Sequence, residues 1–324
     1  MKKSLLVLLL LLFFPLDAKT VVILPFFGCS TQSLFFDAQS PFFYLRQALE
    51  RSGYEVRYAL DEPAFDEVVA IISLTRIERA ILDQMAAYPK EKRLLFCFEP
   101  PVVMPYLYHN YYTGFFEKIF VLFDHLVSQH NYHKFYYPQP SLALINPIPP
   151  FEKKKLSCLI NNNKEFPHPQ SLYGERRKII AFFETLPKGE FDLYGADWNG
   201  CRDWKGRAPP NKWETLKDYK FCICYENMHT QLGNITEKIF DVLISGCVPV
   251  YWGASNVTDY IAEKCFIDRR LFSSDEELYC FLKTMDRSTY ERYQEAIKHF
   301  LASPQAALFS VENFVRLILS EIKK

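Results

Sequence analysis

The stretch from residue 221 to 253, FCICYENMHTQLGNITEKIFDVLISGCVPVYWG, constrains the fold more than any other part of this chain. Residues 221–225 read as a buried strand, with Glu226 and Asn227 at its end. Asn234 is expected to open a helix as its N-cap, with Glu237 three residues later as capping-box partner. Ile239, Phe240, Leu243 and Ile244 then recur at helical spacing. Gly246 stands where a left-handed residue ends a helix, and residues 248–252 resume as a buried strand. A strand–loop–helix–strand unit of this kind belongs to an open parallel sheet. Its helix N-terminus faces the carboxyl edge of the sheet, where such folds bind ligands.

Lys238 is out of place in that unit. A cation in the first turn of a helix meets the positive end of the macrodipole, at a cost of roughly 0.3–1 kcal/mol. A bound anion would reverse the sign, since helix N-termini favour phosphate and Lys is a common phosphate partner. Taken by itself, the residue reads as a solvated surface lysine.

The rest of the chain repeats the alternation. Strands are expected at 20–24, 54–59, 68–74 and 94–98, with helices at 42–52 and 76–88. The fourth strand delivers Glu99 at its carboxyl end, followed by Pro100 and Pro101. Pro138, Pro140, Pro147, Pro149 and Pro150, then Lys153, Lys154 and Lys155, break the pattern. A second set follows: strands at 156–161, 191–194, 221–225 and 248–252, and helices at 175–186, 275–285, 289–302 and 311–322. The last helix is expected to close the molecule by packing across domains. The predicted fold class is α/β, with two Rossmann-like domains facing a cleft, divided into 19–150 and 151–324.

Composition narrows the function classes. At 324 residues, 49% hydrophobic and 16% aromatic, the chain can fill two cores. Its 38 basic and 38 acidic residues cancel, which removes the electrostatic case for nucleic acid. There is no Gly-x-Gly-x-x-Gly, no P-loop and no Asp-x-Asp. The nine cysteines include no Cys-x-x-Cys; Cys97, Cys158, Cys222, Cys224 and Cys247 lie in apolar runs and read as small buried hydrophobes. No His/Cys cluster has zinc-ligand spacing. Residues 1–18 combine a basic start, an apolar run of twelve and a small residue, Ala18. That is the pattern of a signal peptide or a short membrane anchor, and it predicts an exported or membrane-associated protein, with the cytoplasmic face left open.

Residues 221–227, the following Ile-Thr-Glu-Lys and then Gly-Cys-Val-Pro-Val-Tyr-Trp-Gly resemble the donor-binding signature of glycosyltransferase family 10, the α-1,3/4-fucosyltransferases. The family form is Phe-Glu-Asn, a short loop, Tyr-Val/Ile-Thr-Glu-Lys, a helix, then Val-Pro-Val and a Gly. Here Asn234 stands in place of the Tyr, and the loop is one residue longer. Residues 93–105, 120–139 and 172–198 extend the resemblance upstream.

The resemblance implies a GT-B fold and an inverting transfer of L-fucose from GDP-β-L-fucose to a glycan hydroxyl, α-1,3 on GlcNAc or a similar sugar. It implies Glu99 as the base that deprotonates the acceptor. Lys238 and one of Arg176 and Arg177, preferably Arg176, would hold the diphosphate, both exposed in the empty cleft. Glu237 would accept from ribose or fucose hydroxyls, and Asn227 and Asn234 would belong to the donor site. The partners would be a GDP-sugar donor and an oligosaccharide or glycoconjugate acceptor. No cofactor is implied, and a divalent metal would be at most stimulatory. Another inverting GT-B enzyme with a different nucleotide sugar, or a non-catalytic glycan- or nucleotide-binding protein, are the alternatives.

Overall fold

The computed structural model describes residues 19–60, 67–127, 129, 131–208 and 211–322. Two parallel sheets organise them. The first is built from β1 (Thr20–Leu24), β2 (Glu55–Arg57), β3 (Val68–Leu74), β4 (Arg93–Cys97), β5 (Lys118–Val121) and β6 (Tyr132–Lys134), in the order β2-β1-β3-β4-β5-β6. The second holds β7 (Lys155–Ile160), β8 (Phe191–Tyr194), β9 (Tyr219–Tyr225), β10 (Val248–Trp252) and β11 (Ile267–Asp268), in the order β11-β10-β9-β7-β8. The helices are α1 (Thr31–Phe35), α2 (Pro41–Arg51), α3 (Arg79–Met85) and α4 (Asn110–Thr113) with the first sheet. With the second come α5 (Tyr173–Thr185), α6 (Lys212–Leu216), α7 (Glu237–Ile244), α8 (Asp275–Thr284), α9 (Arg287–Leu301) and α10 (Pro304–Ala307), and α11 (Val311–Ile322) ends the chain.

Both sheets are covered on both faces, which is why their strands read as near-continuous apolar runs. Along β4, Leu94 and Phe96 point to one core, while Leu95 and Cys97 point to the other. Phe96 stacks on Phe120 of the neighbouring strand, centroids 4.3 Å apart. In the second sheet the register Val248↔Phe221 to Trp252↔Tyr225 aligns the carboxyl ends of β9 and β10. The strand order reverses between β7 and β9, which makes their carboxyl ends the switch point where a ligand crevice forms.

The chain crosses between the sheets twice at one place. Gln139 donates its N–H to Phe309 (2.7 Å) and accepts from Val311 N–H (3.0 Å). From there α11 returns to the first sheet. Phe314 and Ile318 are buried in its core, with Phe314 5.4 Å from Phe96 and 6.1 Å from Phe42, and Glu321 pairs with Lys118. α11 thus packs against the core of the first sheet. The proposed division at residue 150 falls between β6 and β7.

Cys97, Cys158, Cys222, Cys224 and Cys247 are buried thiols, and all nine cysteines are free. Among the described residues, no helix is long and apolar enough to cross a membrane. The expected signal or anchor, residues 1–18, lies outside the described residues.

Candidate active site

Glu99 stands just past β4, at the carboxyl edge of the first sheet, and its mount is rigid. The Thr75 hydroxyl accepts from Phe98 N–H (3.1 Å) and donates to Phe96 C=O (3.1 Å). Thr75 holds φ at +61°, a left-handed conformation that a β-branched residue adopts only under strain. The Tyr108 hydroxyl donates to the Glu99 carbonyl (2.7 Å). Thr75 and Tyr108 were not foreseen from sequence; they reach Glu99 only through tertiary folding.

Across the cleft, α7 does not start where its sequence suggests. Its N-cap is Thr236, whose hydroxyl accepts from Lys238 N–H at 3.5 Å, and Glu237 is the first helical residue. The expected Asn234–Glu237 capping box is therefore absent. Glu226 takes the place of its carboxylate. It accepts from Thr236 N–H (3.0 Å), and its two oxygens lie 2.9 and 2.8 Å from the Thr236 hydroxyl. A neighbouring strand thus supplies the acceptor that a local Glu usually provides. Asn234, freed from capping, is 1% exposed, and neither of its amide atoms has a partner among the described residues. A buried amide left unpaired is costly, so an unfilled pair of hydrogen-bonding sites points to a polar ligand.

Lys238 sits among acids. Its Nζ lies 3.3 Å from Glu226, 3.4 Å from Glu237 and 3.1 Å from the Thr236 hydroxyl. Burial works against its charge, but Glu237 and Glu226 outweigh burial and raise its pKa above the usual lysine value. Burial likewise opposes charge on Glu237, yet Lys238 and Lys212 hold its carboxyl down at about 2. Both therefore stay ionised. Lys212 is itself paired with Asp241 (2.9 Å), which also accepts from Trp213 Nε1 (2.9 Å).

Arg176 corrects the expectation of an exposed phosphate ligand. It is 2% exposed. Its guanidinium donates to Asn161 Oδ1 (3.2 Å), the Tyr225 carbonyl (2.6 Å) and Asn227 Oδ1 (3.1 Å), and it stacks 4.7 Å from the Tyr173 ring. It ties the ends of β7 and β9 together at the switch point, beneath the donor loop. Arg177 turns away to the rim, donating to Asn163 Oδ1 (3.2 Å) and pairing with Glu165 (2.8 Å). Lys238 is not fully open either, with 21% of its side chain exposed.

These elements meet. A cavity of about 40 Å³ is lined by Glu99 and Tyr137 from one side and by Asn227, Asn234, Glu237 and Lys238 from the other. Of the residues expected at the site, only Arg176 and Arg177 do not line it. Arg176 and Lys238 share a second cavity of about 40 Å³ below it. A groove of about 340 Å³, walled by Phe26, Tyr137, Lys212 and Trp213, opens onto Glu237. Burial raises the Glu99 pKa, the nearby Lys238 opposes that shift, and Glu237 adds to it. The arrangement sets a carboxylate of raised basicity against a hydrogen-bonding wall in which Lys238 is the cation, paired with Glu226 and Glu237.

A family model for the C-terminal part of glycosyltransferase family 10 (fucosyltransferase) matches residues 151–313. Among curated proteins, an α-(1,4)-fucosyltransferase of Arabidopsis thaliana is 39% identical over 80 residues, 24% of this chain and 20% of its own length. The α-(1,3)-fucosyltransferase FucT of Helicobacter pylori is 35% identical over 103 residues, 32% of this chain and 21% of its own. The 4-galactosyl-N-acetylglucosaminide 3-α-L-fucosyltransferase 9 of Mus musculus is 31% identical over 140 residues, 42% and 34% respectively. The chain thus matches between a fifth and a third of the length of these relatives. Among solved structures, an α1,3-fucosyltransferase with GDP-fucose superposes with a TM-score of 0.55 at 14% identity, covering 95% of this chain and 91% of the other. A DNA-modifying β-glucosyltransferase superposes with a TM-score of 0.60 at 12% identity, covering 94% and 100%. At such identities the likeness is one of fold, and that fold is the GT-B arrangement of two Rossmann-like domains. The family match, which spans half of the sequence, goes further: the chain belongs to glycosyltransferase family 10, the fucosyltransferases.

Proposed function

We propose that the protein transfers L-fucose from GDP-β-L-fucose to a hydroxyl of a glycan acceptor, with inversion, and that the linkage is α-1,3 to GlcNAc or a similar sugar. The observation that carries this reading is the shared cavity, in which Glu99 faces Asn227, Asn234, Glu237 and Lys238. The acceptor hydroxyl gives its proton to the Glu99 carboxylate. Its oxygen forms the new bond to fucose C1 as the bond from C1 to the β-phosphate oxygen breaks, and that electron pair leaves with GDP. A base with a raised pKa takes a proton more readily, and general-base catalysis contributes typically about 10²–10⁴-fold.

Lys238 meets the charge developing on the diphosphate. Arg176 adds a fixed positive charge from below and holds Asn227 in place. Arg177, engaged with Glu165 at the rim, is left out of the donor site. Asn234 offers its unpaired amide to a donor hydroxyl or phosphate oxygen, and Glu237 accepts from ribose or fucose hydroxyls. The groove of about 340 Å³ has the size of a small-molecule site and gives the substrates entry. The step is proposed to need no metal ion. Residues 1–18 are proposed to direct export or membrane association.

The test is a mass-spectrometric assay of the purified protein with GDP-fucose, GDP-mannose and UDP-sugars against a panel of glycan acceptors. Fucose transfer from GDP-fucose alone, giving an α-linked product, is the expected result. Transfer of another sugar instead, or GDP binding with no transfer to any acceptor, would contradict it.

A further inference from the structure

The loop from Asn227 to Thr236 carries much of the cavity wall, yet it is held from the opposite sheet. Asp124, in the turn after β5, donates its N–H to the Leu232 carbonyl (3.0 Å). Its carboxylate accepts from Asn256 Nδ2 (3.0 Å), the Tyr260 hydroxyl (2.6 Å) and Lys134 Nζ (2.7 Å). Asn256 in turn accepts from Gly233 N–H (2.9 Å), and Lys134 also donates to the Leu122 carbonyl and reaches the Gly233 carbonyl at 3.5 Å. Lys134 Nζ lies 4.8 Å from the Tyr260 ring centroid. Gly233 holds φ at +77°, and a Cβ there would run into Asp124 Oδ1, Lys134 Nζ and the Leu122 carbonyl. The loop and the turn therefore fit each other only with glycine at 233.

The location gives this network its meaning. β5 pairs with β4, Cys97↔Val121, two residues before Glu99. On the other wall, Gly233 directly precedes Asn234. One set of charged hydrogen bonds thus ties the sheet that mounts Glu99 to the loop that mounts Asn234. We propose that Asp124 is a positioning residue: through Leu232, Asn256 and Tyr260 it sets the spacing between Glu99 and the donor loop. Asp124 spends its lone pairs on this network and is not a second base. The inference rests on the transferase reading for its kinetic consequence, but not for the clamp itself. Charge-assisted hydrogen bonds of this geometry are the strong ones, and a displacement of about 1 Å at a reacting centre can cost about 10²-fold in rate.

The experiment uses the full chain with Asp124→Ala and, as a milder variant that removes only one hydroxyl, Tyr260→Phe. Hydrogen–deuterium exchange over residues 227–236 needs no substrate. Exchange at least tenfold faster there in both variants, with unchanged protection in β1 and β3, is expected; unchanged loop exchange overturns the clamp. With GDP-fucose and an acceptor, kcat should fall about tenfold or more in Asp124→Ala while the GDP dissociation constant changes less than about threefold. The double variant should be no worse than Asp124→Ala alone. A kcat loss matched by an equal loss of GDP affinity, or an unchanged kcat, overturns the positioning role. If wild-type protein binds no GDP and transfers no fucose, the transferase reading fails, and the exchange result still decides the clamp.

Discussion

Arg176 supports the site from below, and its burial changes what its removal should do. Arg176→Ala leaves the Tyr225 carbonyl and the Asn161 and Asn227 side-chain oxygens without their donor. A buried acceptor left unpaired costs about 1–3 kcal/mol, so a stability loss on the order of 3 kcal/mol or more is expected by denaturant titration. Lys238→Ala should cost binding as well as stability, because it also leaves the buried Glu226 carboxylate without its cation. A charged hydrogen bond to diphosphate is worth about 1.5–3 kcal/mol, which predicts a tenfold to hundredfold weaker GDP complex by calorimetry, roughly. Unchanged GDP affinity in both variants would contradict the assignment. Glu99 makes a pH prediction. A general base works deprotonated, so kcat/KM falls as pH drops through its pKa. Burial raises that pKa, which places the acid limb above the ordinary glutamate value of about 4.3. A limb at the ordinary value would remove Glu99 as the base. The place of Glu99 at a strand end before two prolines was legible in sequence, whereas its role as base came from the family resemblance. The depth of Arg176 was not foreseen, although Tyr173, Arg176, Ile180 and Phe183 fall on one helical face and all are buried. Nothing local marks Thr75 or Tyr108, whose contacts with this segment span 23 and 9 residues.

The start of α7 is decided by an element outside it. Asn234 and Thr236 are both good N-caps, and local preference cannot choose between them. The Glu226 carboxylate at the end of β9 selects Thr236 by accepting its N–H and its hydroxyl. Thr236→Ala should therefore cost at least the usual cap value of about 1–2 kcal/mol, while Thr236→Ser should retain most of it. Thermal or denaturant unfolding of the two variants measures the difference, and equal stability would contradict the cap. The longer elements were legible from period and caps. Residues 311–322 form α11 as expected, and β3, β9 and β10 fall within two residues of their predicted bounds. The four-residue β5, three-residue β6 and two-residue β11 were not, because runs so short show no measurable alternation. Their existence follows from neighbouring strands that need partners for their backbone groups.

The whole molecule is two sheets with their carboxyl edges turned to one cleft, joined by the linker around Gln139 and by the return of α11. The alternation of strands and helices, together with the proline cluster, made this architecture readable before any coordinate. The distance across the cleft was not readable, since it depends on contacts such as Asp124 with Tyr260 that are 136 residues apart. At the same scale stands the export proposal. The mature chain is expected to begin near Lys19, and N-terminal sequencing of protein from its native cells decides it; an intact Met1 on a soluble cytoplasmic protein would contradict it. The central claim is that the two walls of the cleft do separate jobs, the base on one and donor binding on the other. Glu99→Gln, which keeps the shape and removes the proton acceptor, tests it most directly when turnover and GDP affinity are measured on the same preparation. Turnover should fall by about 10²-fold or more while the GDP dissociation constant stays within about twofold. Turnover above a tenth of wild type, or a parallel loss of GDP affinity, would contradict the account.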